Sequence, residues 1–157
     1  MTDPRYKQLA EQIIGYSCRV RPGEHVNLRM IDIPDAMVVA LIRATRAAGG
    51  IPHVDLYHAT ISRELSMGAT EAQYELEGRY RLQRAQDMDV HICFYGDANS
   101  FESADVPSER MKIVSKYMRE ASNFTCNKRK WCVLAWPTPA MAQAAGMATE
   151  DFEDFYF

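Results

Sequence analysis

The chain has 157 residues, enough for one domain with a core that needs no disulfide staples. Hydrophobic residues make up 47% and charged residues 25%, and the net charge is -3 with both signs interspersed. That balance excludes the basic stripe of a nucleic-acid binder, no apolar run is long enough to span a bilayer, and the opening MTDPRYKQ carries no apolar leader segment, so the expected location is the cytoplasm.

In chain order, DPRYKQLAEQIIGYSCRV places apolar residues at Tyr6, Leu9, Ile13, Tyr16 and Val20, which predicts a helix, with Asp3 before Pro4 as its start signal. RPGE breaks the chain, and HVNLRMI reads as a short strand. PDAMVVALIRATRAAGG predicts a second helix: Pro34 suits the first turn, Asp35 suits the dipole, and Gly49 and Gly50 end it. IPHVDLYH is a second strand, followed by a polar, helical stretch. Thr70 caps a helix through EAQYELEGRYRLQRA, whose Glu75–Arg79 and Glu77–Arg81 spacings mark a largely solvated surface.

DVHICFYG reads as a nearly continuous apolar strand of the kind found at the centre of a parallel sheet. DANSFESADV is a polar loop, PSERMKIVSKYMREAS a helix with a stripe at Met111, Val114, Met118 and Ala121, and KWCVLAW a fourth strand. A small-residue helix follows, and then an acidic helix from about Thr149. Helix, then strand–helix four times over, predicts an α/β fold: a small parallel sheet of about four strands flanked by helices, three-layered and Rossmann-like, as one domain over residues 1–157.

Ligands of such sheets gather at the carboxyl ends of the strands. Those ends carry Asp32, Asp97, Asn99 and Thr138, and the favoured reading is that Asp32 and Thr138 are cap or turn residues while Asp97 and Asn99 shape a loop. No G-x-G-x-x-G follows the first strand, and neither a P-loop nor a G-x-S-x-G elbow occurs. His53 and Asp55 share one strand face and His58 the other, while His25 and His91 stand alone, so no metal set converges from local spacing. Cys18, Cys93, Cys126 and Cys132 form no C-x-x-C pair and read as reduced structural thiols. Glu150, Asp151, Glu153 and Asp154 read as a solvated helix start. Phe152, Phe155 and Tyr156 form an aromatic stripe, expected bare beside Phe157, that needs a covering surface.

KWCVLAWPTPAMAQAAGMATEDFEDFYF resembles the thermophilic-type metallo-aminopeptidases, the group of aminopeptidase T, aminopeptidase S and PepS: a Trp-bearing strand, a Pro-Thr turn, a small-residue helix and an acidic-aromatic helix. LAEQIIGYSCRVRPGEHVNLR and RAAGGIPHVDL resemble the opening elements of the same family, and the likeness runs from about Leu9 to Phe157. The resemblance implies a broad-specificity exopeptidase that removes N-terminal residues from peptides, pairs as a homodimer, and uses two divalent metal ions (Zn, Co, Mn or Mg) to activate a water and stabilise the oxyanion. It also implies that the Glu, His, Tyr and Asp ligands lie in a second half of the enzyme, beyond the acidic-aromatic helix. The chain is then expected to be the amino-terminal part of a longer two-domain enzyme, inactive alone, and no catalytic, cofactor-binding or metal-ligating residue is assigned within it. The alternative is a stand-alone α/β binding or interaction module without catalysis.

Overall fold

The computed structural model describes residues 3–96 and 98–157. Four strands, β1 (His25–Ile31), β2 (Ile51–Tyr57), β3 (Val90–Tyr95) and β4 (Lys130–Ala135), form one parallel sheet in the order β2-β1-β3-β4. The helices are α1 (Pro4–Gln12), α2 (Asp35–Ala47), α3 (Ala59–Met67), α4 (Glu71–Asp87), α5 (Ser108–Lys128), α6 (Pro139–Ala145) and α7 (Thr149–Tyr156). The expected α/β class and flanked parallel sheet are thus what the chain adopts. No helix among the described residues is long and apolar enough to cross a membrane.

The two faces of the sheet differ in kind. One presents Val26, Leu28 and Met30 of β1 beside Val90, Ile92 and Phe94 of β3, all buried. They pack against Ile13, Ile14, Met37 and Leu41 from the amino-terminal segment and α2 to form the apolar core. The other face presents Asn27 and Arg29, Asp55 and Tyr57, and His91 and Cys93, roofed by α4 and α5. The run VHICFY, expected to be buried on both sides, therefore alternates: Val90, Ile92 and Phe94 are dry, and the residues between them face the polar layer.

Asp3 starts α1 by accepting the Arg5 N–H at 2.9 Å. Beyond Gln12 the expected α-helical spacing fails. Residues Ile13–Ser17 form a π turn, in which Cys18 N–H donates to the Ile13 carbonyl at 2.8 Å. The wider turn lets the consecutive Ile13 and Ile14 both enter the core, and Tyr16, expected on the buried stripe, is 72% exposed. α5 runs to Lys128, past the expected end, and of its predicted stripe Ala121 is buried while Met111 is exposed.

The last helix corrects a second expectation. Gly146, at φ 68°, ends α6 in the left-handed conformation that glycine adopts without steric cost and turns the chain back. Phe152 is buried, Tyr156 donates its hydroxyl to the Ala135 carbonyl at 2.7 Å, and Phe157 lies 5.8 Å from the Tyr6 ring and 5.6 Å from Trp136. Arg5 joins α1 to α7 through Asp154 at 2.7 Å and Glu153 at 3.8 Å, so the acidic run is partly bridged rather than wholly solvated. Of the aromatic stripe, Phe155 alone stays bare, 77% exposed, because Phe152 and Tyr156 share the inward side of the helix and Phe155 falls off it.

Gly78 lets α4 approach α5: a β-carbon there would sit 2.7 Å from the Tyr117 carbonyl oxygen. Gly78→Ala is expected to destabilise the fold by about 1–2 kcal/mol, because the overpacking cost exceeds the ~1 kcal/mol gained in helix propensity. Urea denaturation measures the difference, and a stabilised variant would refute the close packing.

The thiols also separate by environment. Burial pushes Cys18, which lies against Cys132, up to about 12, and raises Cys93 and Cys132 as well. Cys126 is exposed. In native protein at mild alkaline pH a thiol-reactive dye is expected to label Cys126 rapidly and Cys18 only on unfolding, and Cys126→Ser should remove the fast phase.

Candidate functional site

At the carboxyl edge of the sheet the switch in strand order falls between β1 and β3. Asp32 leaves β1 at φ 53°, and its carboxylate accepts the Ala59 N–H at 2.8 Å and meets His58 Nδ1 at 2.8 Å. It thus caps the start of α3. Opposite it, Gly96 follows β3, where a β-carbon would lie 2.8 Å from the Asp32 carbonyl oxygen, so backbone meets backbone and the crevice is closed at that point. Thr138 caps α6 by accepting the Met141 N–H, and Asn99 accepts the Phe101 N–H within its loop. Asp97 lies outside the described residues. Asp32, Thr138 and Asn99 serve the chain's own turns.

The polar face of the sheet is the richer assembly. Asp55 on β2 accepts Arg84 Nε from α4 at 2.7 Å, and the same guanidinium reaches Asn27 Oδ1 at 3.3 Å. His91 Nε2 lies 3.4 Å from the Ala85 carbonyl oxygen. His53 and Asp55 do share this face, as strand alternation predicts. His25, expected to stand alone, places Nδ1 2.9 Å from His53 Nε2. Parallel pairing of β1 with β2 makes that contact, and sequence spacing carries no trace of it because 28 residues separate the two rings. Between this face and the helices lies a cavity of about 320 Å³.

The donor atoms do not fit a dinuclear metal centre. Among the described residues no group of three or more His, Cys, Asp or Glu side chains is placed to hold an ion. Asp55 is engaged by Arg84, Asp32 by the start of α3, and His25 and His53 by each other.

Burial holds His53 and His91 below the ordinary histidine value, with the His25 ring adding to the effect at His53. Both rings favour the neutral form in the folded state, so below an unfolded pKa of roughly 6.5 the unfolded chain binds more protons. Stability is full above that value and falls as the pH drops through it toward the folded-state values. The melting temperature is expected to be lower at pH 5.5 than at pH 7.5, and His91→Gln should narrow the gap. A larger gap in the variant would reverse this assignment.

A family model described as thermophilic metalloprotease (M29) matches residues 2–157. Among solved structures, wild-type AmpT from Thermus thermophilus has a similar fold, with a TM-score of 0.71 at 15% sequence identity, over 94% of this chain and 40% of that one. The chain therefore spans about two-fifths of AmpT's length. A protein described as a LacI-family transcription regulation repressor, from Corynebacterium glutamicum, gives a TM-score of 0.35 at 10% identity over 83% of this chain and 59% of its own, too loose a likeness to bear on function. No curated protein matches.

Proposed function

Because the chain belongs to the thermophilic metalloprotease family M29, we propose that it is the amino-terminal α/β domain of a broad-specificity aminopeptidase. In this reading residues 1–157 are one domain of a two-domain enzyme that removes N-terminal residues from peptides, pairs as a homodimer and works in the cytoplasm. The domain frames the substrate cavity and packs against the catalytic part. The paired divalent ions (Zn, Co, Mn or Mg) are held by residues outside these 157.

The observation that carries the reading is the family match over residues 2–157 in a chain that spans 40% of AmpT. The engaged donor atoms support it further. Asp32, Asp55, His25 and His53 already have partners within the domain. Their roles are to set the turn into α3, tie α4 to the sheet and order the edge of β2.

The purified 157-residue chain, supplied with Co or Zn, is expected to release no amino acid from an aminoacyl p-nitroanilide. Chelator-sensitive turnover by this chain alone would overturn the reading. In extracts of the source cells an antibody against it should mark a product larger than 17.9 kDa. A native product of 17.9 kDa would instead support the second reading, a stand-alone α/β binding module. The packing of Phe152, Tyr156 and Phe157 onto their own domain favours that alternative.

A further inference from the structure

The polar face of the sheet holds more cationic charge than its carboxylates neutralise. The cavity beneath α4 and α5 measures about 320 Å³, within the range of roughly 300–1,000 Å³ typical of small-molecule sites. Arg29 enters it from β1, and Arg81 and Arg84 from α4; Asp55 and Glu77 are its acidic residues. Asp55 is engaged by Arg84 at 2.7 Å. Glu77 is one helical turn from Arg81, the favourable spacing for an ion pair, yet Arg81 turns away to lie 5.9 Å from the centroid of the Tyr57 ring. Arg29 lies 5.0 Å from the same centroid.

Two guanidinium groups thus converge on one tyrosine, and among the described residues neither forms a hydrogen bond or an ion pair. Arg29 Nε is buried with no partner. Burial, and then the charge of Arg81, hold Arg29 below the usual arginine range. A buried N–H without an acceptor and two like charges on one ring are both unfavourable, and a single anion between them would relieve both.

The floor of the cavity has a matching polarity. Asp55, Arg29, Cys93 and Val133 are register partners in a row across β2, β1, β3 and β4. The row is charged at the β2 and β1 end and uncharged at the β3 and β4 end, where burial raises the Cys93 pKa and keeps its thiol neutral. Trp131 lines the same uncharged end.

We infer that this cavity binds a small organic anion, its carboxylate or phosphate held by Arg29 and Arg81 over Tyr57 and its apolar body lying across Cys93 toward Val133. The site uses only residues of this chain and is independent of the hydrolytic reading, because its test requires no turnover. Titration calorimetry of the whole chain with benzoate, phenyl phosphate and uncharged benzamide examines it. Benzoate, phenyl phosphate or both are expected to bind saturably and raise the melting temperature, and benzamide to do neither. Whichever anion binds tighter identifies the head group. Arg81 is half-buried, and Arg81→Gln, with its fold checked by the melting curve, is expected to weaken binding at least about tenfold. Arg29→Lys, which keeps the charge but loses the planar fork, should also weaken it. No saturation by either anion up to about 10 mM, equal binding of benzamide, or unchanged affinity in Arg81→Gln would each overturn the assignment.

Discussion

Strand β1 must satisfy two unlike environments at once, and the rest of the molecule is arranged around that demand. Val26, Leu28 and Met30 are dry, and burying them draws the amino-terminal helix, its π turn and α2 onto one side of the sheet. Asn27 and Arg29 alternate with them and face the other way, where an apolar lid would leave the Asn27 amide without a partner. The helices on that side therefore meet the sheet through side-chain polar groups. Arg84 serves Asp55 and Asn27 together, and α4 and α5 seal against each other at Gly78. A layer built in this way supports the helices without filling the space beneath them, so a cavity survives on the polar face and none is needed on the apolar one.

The same division explains how the domain closes. Its apolar side ends at Trp136, just past β4. Tyr6 from the first helix and Phe157 from the last cover it, and Arg5 spans the two helices with its guanidinium over the Phe157 ring at 4.8 Å. The two ends of the sequence are thereby joined on one face by aromatic edges and ion pairs. The carboxyl edge of the sheet is occupied by the chain's own requirements, with Asp32 held in a left-handed turn because its carboxylate must reach the first amide of α3.

Much of this was legible in the residues. HVNLRMI, IPHVDLY, VHICFY and KWCVLA each carry the short apolar runs of strands, and Pro, Gly and capping residues punctuate the helices between them, so element order and parallel class followed directly. Thr70 and Thr138 mark helix starts by chemistry that acts within a few residues, and the structure uses them in that way. Where two effects competed, pattern misled. Ile13 and Ile14 are adjacent and both buried, and they sit in a π turn that 3.6-residue periodicity does not anticipate. Phe152, Phe155 and Tyr156 look like one stripe by spacing, yet their coverage depends on contacts outside the helix, such as that of Tyr156 with the Ala135 carbonyl.

The sequence by itself determined the class of fold, the order of its elements and, through its closing motifs, its family, because those depend on local spacing and on short-range caps and turns. Only the tertiary structure decided which face of the sheet is dry, that His25 meets His53, that Arg84 takes Asp55, and that Arg29 and Arg81 both approach Tyr57. Each of these depends on register and on the seating of helices over strands. Those are set by the summed burial of residues distant in the chain, a quantity that no local window of sequence contains.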